Sequence, residues 1–69
     1  MYEIEYYVVD DSSPEYYHID SNYLPQPDDD VTIDGKNYKV ISVKHILDIV
    51  TSSIVGDTLE ERFIVTVHK

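Results

Sequence analysis

The chain contains no cysteine, and this absence excludes three kinds of site. A disulfide framework, a thiolate zinc site and a cysteine nucleophile all need the thiol group. The 69 residues include only two glycines, too few for a glycine-rich loop that cradles a phosphate group. No apolar run approaches the roughly 18 residues of a membrane-spanning helix, and no basic segment followed by an apolar core marks a signal peptide. We therefore expect a soluble, cytoplasmic protein.

Positive charge is also scarce in this chain. Five Lys and Arg stand against fourteen Asp and Glu, which gives a formal net charge of −9. Residues 1–35 contain ten of the acidic residues and no Lys or Arg, so the excess of negative charge lies in the first half. DNA, RNA and anionic membranes attract basic surfaces, and the composition argues against all three as direct partners. The simplest explanation of the acidity is solubility, because charged edges keep strand-rich proteins from pairing with one another.

The start of the chain predicts a β-hairpin followed by a loop. Apolar or aromatic residues alternate through residues 2–9, as in a strand with one buried face. The segment Asp10–Pro14 is rich in turn-forming residues, and a second strand is expected over Glu15–Ile19. Two prolines within residues 20–30 exclude a helix or a central strand there, so this stretch is expected to be irregular.

A second hairpin is predicted around Asp34-Gly35, a dipeptide typical of two-residue hairpin turns. A two-residue loop would pair Ile33 with Lys36, whereas a four-residue loop would pair Ile33 with Tyr38. Because side chains alternate between the two faces, both registers predict the same core face. That face carries Val31, Ile33, Tyr38 and Val40.

The second half of the chain continues the β pattern. The adjacent apolar pair Val40-Ile41 breaks the alternation, which predicts a bulge. Residues 46–55 have apolar spacing that would suit a short helix, but their β-branched side chains favour a strand. Gly56-Asp57 marks a turn, and a last strand is expected from Leu59 onward, with Leu59 facing the same way as Phe63.

These segments predict a single domain over residues 1–69 of the all-β class. Five or six short strands would form a small antiparallel barrel or curled sheet. At this length the core is small, so a homo-oligomer would be one way to bury more apolar surface.

The segment Leu24–Val43 has the sequence LPQPDDDVTIDGKNYKVISV. It resembles the pattern Pro-x-x-(Gly/Asp)-Asp-x-Val-x-Ile-x-Gly-x-x-Tyr-x-Val-x-x-Val of small SH3-like barrel proteins, which are numerous in bacteriophages and mobile elements. It departs from that pattern in having Asp where Gly often precedes the strand. The resemblance implies an SH3-like barrel and a binding module without an inherited active site. The short, acidic, cysteine-free build is also similar to that of phage-encoded inhibitors of bacterial defence systems, including anti-CRISPR proteins.

Side chains that could bind metals or catalyse a reaction lack the spacing of a known site. The acidic run Asp28–Asp30 suggests calcium, but an EF-hand loop counted from Asp28 needs glycine where Ile33 stands and glutamate where Lys39 stands. The three histidines lie in different predicted strands without the spacing of a zinc site, and no serine lies in a Gly-x-Ser-x-Gly elbow. We therefore expect no enzymatic activity, no cofactor and no metal.

Acidic residues and tyrosines are concentrated together in the first half of the chain. Six of the seven tyrosines lie within residues 1–23, and tyrosine suits an exposed contact surface. We predict that this half binds a basic surface of a host protein, such as a bacterial defence or nucleic-acid-binding protein. The alternative is a structural phage protein or self-assembling module that uses exposed strand edges. The predicted partner-binding residues are Glu3, Glu5, Tyr7, Tyr16, Tyr23, Asp28, Asp29 and Asp30.

Overall fold

The computed structural model describes residues 1–9 and 14–69 and is all-β over these residues. Within these residues, five strands form one sheet in the order β2-β1-β5-β4-β3, and the sheet curls into a half-barrel. The predicted all-β class and small curled sheet are therefore confirmed. Within the described ranges, no helix has the length and apolar character needed to cross a membrane. The strands are β1 (Tyr2–Val8), β2 (Glu15–Ser21), β3 (Asp30–Ile33), β4 (Lys36–Ser52) and β5 (Gly56–His68).

The predicted N-terminal hairpin is present, with β1 and β2 paired antiparallel. Ile4 lies opposite Ile19, and Tyr6 lies opposite Tyr17, so each pair shares one face of the sheet. β2 continues two residues past the predicted end, to Ser21. The turn predicted over Asp10–Pro14 falls mostly on residues 10–13, which lie outside the described residues.

One strand pairing differs from the expected antiparallel arrangement. Among the described residues, three of the four pairings are antiparallel, whereas β1 and β5 pair in parallel. The alternation of side chains between two faces is the same in both kinds of ladder, so the sequence pattern carries no information about strand direction. The parallel pairing brings the first and last strands together at the centre of the sheet.

The β3–β4 turn has the two-residue form, and the four-residue register is wrong. Ile33 pairs with Lys36, while Asp34 and Gly35 have φ angles of 50° and 77°. Two positive φ angles in succession are typical of the type I′ turn that suits a two-residue hairpin. The predicted bulge is confirmed as well, because the β4–β5 register shifts between Val40 and Ser42.

Residues 46–52 are strand rather than helix, as their β-branched residues favoured. The turn that follows lies at residues 53–55, earlier than the predicted Gly56-Asp57, and β5 already begins at Gly56. β1 reaches β5 only at residues 63–67, and β3 reaches β4 only at residues 36–39. Residues 46–62 therefore form a two-stranded extension that projects beyond the other strands, which we call the arm.

The core lies on the concave face of the half-barrel. Val31 and Ile33 pack against its edge, whereas Leu59, which was expected on the core face, is 68% exposed because it lies in the arm. Leu24 and the fully buried Pro25 bring the loop over residues 22–29 onto this face. Together with Pro25, the buried side chains of the described residues include Ile4, Val8, Tyr38, Val40, Phe63, Val65 and Val67.

The 22–29 loop is held to β4 by backbone hydrogen bonds. The Asp28 N–H donates to the Val40 carbonyl, and the Val40 N–H donates to the Asp29 carbonyl, both at 2.9 Å. Asp28 reaches this position with a φ of 73°, in the left-handed region that glycine adopts most easily. This conformation explains why glycine suits the position before the strand in the pattern that the segment resembles, and Asp is one of the few other residues that tolerate it.

Candidate functional site

Four of the predicted partner-binding residues lie together on the convex side of the sheet. Ile4 and Val8 point into the core, so the alternate residues of β1 point to the opposite side. Residues of β2 that pair with them share this side. We call this surface the outer face, and it consists of Glu3, Glu5, Tyr7, Tyr16, His18 and Asp20.

The aromatic part of the outer face is the pair of Tyr7 and Tyr16. The two residues are direct cross-strand neighbours, with ring centroids 4.9 Å apart and planes inclined by 37°. Tyr7 is half-buried, whereas Tyr16 is 64% exposed. Contact with Tyr7 restricts Tyr16, so its ring presents apolar area to solvent at a reduced cost in conformational entropy.

Carboxylates lie on the outer face beside this tyrosine pair, and one arginine of the neighbouring strand β5 lies close to one of them. Nε2 of His18 is 3.2 Å from Oε1 of Glu3. Arg62 of β5 lies between Glu5 and Asp48, at 3.7 Å and 3.5 Å from their carboxylate oxygens. These groups are all substantially exposed, so each pair contributes little to stability. Arg62 reduces the negative potential near Glu5, while Glu3 and Asp20 lie farther along the hairpin.

The role of Arg62 was missed by the sequence reasoning, which placed all site residues in the first half of the chain. Arg62 is near Glu5 only because β5 lies beside β1 in the sheet. Since the alternating pattern does not show which strands are neighbours, no local signal in the sequence identifies this contact.

Three other predicted residues lie in the loop on the opposite side. The Tyr23 hydroxyl donates a hydrogen bond to Oδ2 of Asp29 at 3.0 Å, and the Gln26 N–H donates to the same oxygen at 2.8 Å. These bonds lower the pKa of the Asp29 carboxyl, the backbone N–H of Gln26 contributing most. The bond to Asp29 also raises the pKa of the Tyr23 hydroxyl. Asp28 is the residue that joins this loop to β4.

The eight predicted residues therefore do not form one continuous surface. Four lie on the outer face, while Tyr23, Asp28 and Asp29 lie in the loop that covers the core. Asp30 begins β3, where it lies opposite Lys39. Asp29 and Tyr23 have a visible structural role in the loop, which makes the outer face the better candidate for a contact surface.

The histidines are separated in the fold. His18 lies on β2, His68 ends β5, and His45 lies at the base of the arm. The His45 ring stacks on Phe63 at 4.7 Å, and its Nε2 lies 2.8 Å from a carboxylate oxygen of Glu61. In the part of the chain that the structure describes, no three His, Asp or Glu side chains are grouped so that they could hold a metal ion.

Comparison with known proteins gives no match to a family model, to a curated protein or to a solved structure. The outer face combines an exposed, restrained tyrosine with several carboxylates on a paired hairpin. Such a surface is suited to contact with a basic protein surface.

Proposed function

We propose that this protein is a non-enzymatic protein-binding module whose outer face covers a basic surface of another protein. The observation that carries the proposal is the contact of Tyr7 with Tyr16 beside the carboxylates of Glu3 and Glu5. The tyrosines would supply the buried apolar area of the interface. The carboxylates would accelerate association and select partners of positive charge.

The distribution of charge supports this role for the outer face. β1 and β2 contain acidic residues and no Lys or Arg. Arg62 borders them and is shared between Glu5 and Asp48. Exposed charges of one sign act over about 8 Å at physiological salt, so the hairpin would attract a cationic partner before contact.

The proposed partner is a bacterial defence or nucleic-acid-binding protein, whose cationic groove an acidic face would occupy. Binding there would keep the phosphates of the nucleic acid out of the groove. The protein would therefore act as an inhibitor in the cytoplasm of the host cell. The resemblance of Leu24–Val43 to small phage proteins supports a phage or mobile-element origin for such an inhibitor.

The proposal is tested by affinity capture from a bacterial lysate with matched tyrosine variants. Tyr16 and Tyr23 are almost equally exposed, at 64% and 65%, but only Tyr16 lies on the outer face. We expect Tyr16→Ala to reduce the affinity for the captured protein at least about tenfold, as loss of an interface anchor does, and Tyr23→Ala to leave it within about twofold. Affinity is measured by titration with the purified partner. Equal effects of the two substitutions would contradict the proposal.

The electrostatic part is tested by a second matched pair. Glu3→Gln with Glu5→Gln removes two charges from the outer face, and Asp57→Asn with Glu60→Gln removes two from the arm. We expect the first pair to slow association and to flatten its dependence on salt between about 50 mM and about 300 mM, whereas the second has a smaller effect. Identical association rates for the two variants would remove the electrostatic mechanism.

A second candidate function is self-assembly through strand edges. β2 and β3 are the edge strands of the sheet, and an edge presents unpaired backbone groups to another chain. Backbone pairing depends little on salt, so such assembly would persist at high ionic strength. Sedimentation of the purified protein over a range of concentrations, at low and high salt, separates this function from binding by the outer face.

A further inference from the structure

The two edge strands face one another across an opening in the half-barrel, which we call the seam. A cavity of about 400 Å³ lies there, with residues of both β2 and β3 in its walls. Tyr17 and Ile19 line it from β2, Val31 and Ile33 line it from β3, and Tyr6 of β1 lies between them. In the part of the chain that the structure describes, the outer edges of both strands have no strand partner, so the seam is a groove between two edges.

The two edges lie farther apart than paired strands do, and their directions would allow an additional strand between them. Among the described residues, no Cα atom of β2 lies within 8 Å of a Cα atom of β3. Neighbouring paired strands are about 4.8 Å apart, so a strand between β2 and β3 needs a gap of roughly 10 Å. β2 and β3 run in opposite directions around the sheet. An inserted segment would pair in parallel with one edge and antiparallel with the other.

The core is incomplete on the side of the seam. Ile19 lies opposite the fully buried Ile4 yet is 51% exposed, because the sheet ends at β2. Val31 and Ile33 are only half-buried on the other side. An extended segment with an apolar residue at every second position would cover these side chains and continue the core.

Charge indicates what kind of segment would enter. Both edges come from residues 1–35, which contain no Lys or Arg. Asp34 lies in the wall of the cavity, and Asp30 at the start of β3 is exposed. His18, the basic side chain of this wall, lies beside the Glu3 carboxylate. In the β3–β4 hairpin, the lysines Lys36 and Lys39 lie on β4, which is separated from the seam by β3. Basic residues at the alternate positions of an inserted segment would therefore be attracted to the seam.

We infer that the seam accepts an extended basic segment of a partner protein, with apolar residues alternating with Lys or Arg, which adds a strand between β2 and β3. This inference rests on the proposed function, because it gives the chemistry of a segment of the same basic partner, but it uses a different surface. Backbone hydrogen bonds to the two edges would supply affinity, and the apolar pockets would set the register.

The arm of a second copy is the other extended segment that the structure offers, but its charge fits the seam poorly. The arm contains four acidic residues and a single Arg, at 62. Insertion would bring these carboxylates to acidic edges, and like charges at close range disfavour the contact. A foreign basic segment is favoured for this reason.

The test uses synthetic peptides and the full chain. The probe is an end-capped peptide of seven residues, the length of β2, with alternating lysine and valine. Two control peptides replace lysine by glutamate or carry N-methyl groups at alternate backbone nitrogens, which removes donors from the ladder. We expect NMR shifts and slowed amide exchange in β2 and β3 on titration with the lysine peptide. Each control should bind at least about tenfold more weakly.

A matched pair of protein variants locates the binding. Ile19→Asn alters the seam, and Ile49→Asn makes the same change at an exposed position of the arm. We expect at least about tenfold weaker binding of the lysine peptide to the first variant and a change within about twofold for the second. Amide spectra establish that both variants retain the fold, and the N-methylated peptide tests the wild-type protein independently of either substitution.

Equal binding of the N-methylated peptide, equal binding of the glutamate peptide, equal loss in both variants, or shifts confined to the outer face would each overturn the inference. Concentration-dependent NMR shifts of β2 and β3 without peptide would assign the seam to a second copy instead.

The seam inference and the outer-face proposal fail separately. If Tyr16→Ala leaves partner binding unchanged while the lysine peptide still enters the seam, the outer-face proposal is wrong. If Tyr16→Ala weakens partner binding but the peptide does not enter, the seam inference is wrong.

Discussion

The halves of β4 and β5 that lie in the half-barrel, which we call the inner halves, have the same alternating β pattern as the halves that form the arm. Their surroundings differ. Val40, Val65 and Val67 in the inner halves are almost completely buried, whereas Ile49 and Leu59 in the arm are 71% and 68% exposed. Ile49 and Leu59 are direct cross-strand neighbours, so pairing is not what separates the two regions. The inner halves are flanked by β1 and β3 and covered by the 22–29 loop, whereas the arm, among the described residues, has only its own two strands. Alternation thus assigns a residue to a face, but only neighbouring elements bury that face.

The largest expected effect on the free energy of unfolding comes from replacing one isoleucine by alanine in each region. Ile4→Ala leaves a cavity in the core and should lower the free energy of unfolding by about 2–5 kcal/mol, whereas Ile49→Ala should change it by less than about 0.5 kcal/mol. Urea unfolding followed by circular dichroism measures both. A loss of several kcal/mol for Ile49→Ala would mean that the arm is packed against something in solution, and the contrast between the regions would fail.

An intermediate effect is expected from the two glycines, one in the β3–β4 turn of the half-barrel and one in the arm. Gly35 and Gly56 have φ angles of 77° and 78°, and an added Cβ would meet no atom within 4 Å at either position. Replacement by alanine should therefore cost about 1–2 kcal/mol from backbone conformation alone. We expect Gly35→Ala to lower global stability, whereas Gly56→Ala speeds amide exchange in the arm and leaves global unfolding unchanged.

The glycine comparison also measures how the two regions are coupled. A two-stranded hairpin is marginally stable by itself, so the arm is expected to open without unfolding the half-barrel. If Gly56→Ala lowers global stability as much as Gly35→Ala does, the arm and the half-barrel unfold as one unit.

The smallest expected effect is a difference in acid stability. The pKa of Asp29 is lowered by the N–H of Gln26 and the hydroxyl of Tyr23, so its stabilising contribution is complete above the ordinary value of 3.8. That contribution is lost as the pH falls through the lowered pKa of the folded state. Asp29→Asn should therefore lose less stability than the wild type between about pH 5 and about pH 2. Urea unfolding at a series of pH values measures this.

The matched control for the acid experiment lies in the arm. Asp57 accepts a hydrogen bond from the Thr51 hydroxyl at 2.9 Å, but the arm contributes little to global unfolding in the comparison above. Asp57→Asn should keep the acid dependence of the wild type. A reduced acid dependence in Asp57→Asn, equal to that of Asp29→Asn, would count against the separation of the two regions.

Local chemistry predicted much of the fold correctly. The β1–β2 hairpin follows from alternation, the β3–β4 turn follows from Asp34-Gly35, and the bulge follows from the adjacent pair Val40-Ile41. Each of these features depends on residues that are close in sequence. The position of the last turn was misplaced by a few residues, because Gly56 follows the turn as the first residue of β5.

The candidate site was predictable only in part. Alternation places Glu3, Glu5 and Tyr7 on one face of β1, and the hairpin brings Tyr16 beside Tyr7. The loop residues Tyr23, Asp28 and Asp29 were expected in the same surface but lie on the other side of the sheet. Their location depends on where Leu24 and Pro25 pack, which is a contact between segments distant in sequence.

The sequence by itself determined the strand pattern, the faces of each strand, the turn at Asp34-Gly35 and the asymmetry of charge. These properties depend on side-chain alternation, backbone preference and composition, which act over a few residues. The tertiary structure decided the parallel pairing of β1 with β5, the exposure of the arm and the opening of the seam. Each of these depends on which strands become neighbours and where the sheet ends, and a two-residue period is the same for a covered and an uncovered face.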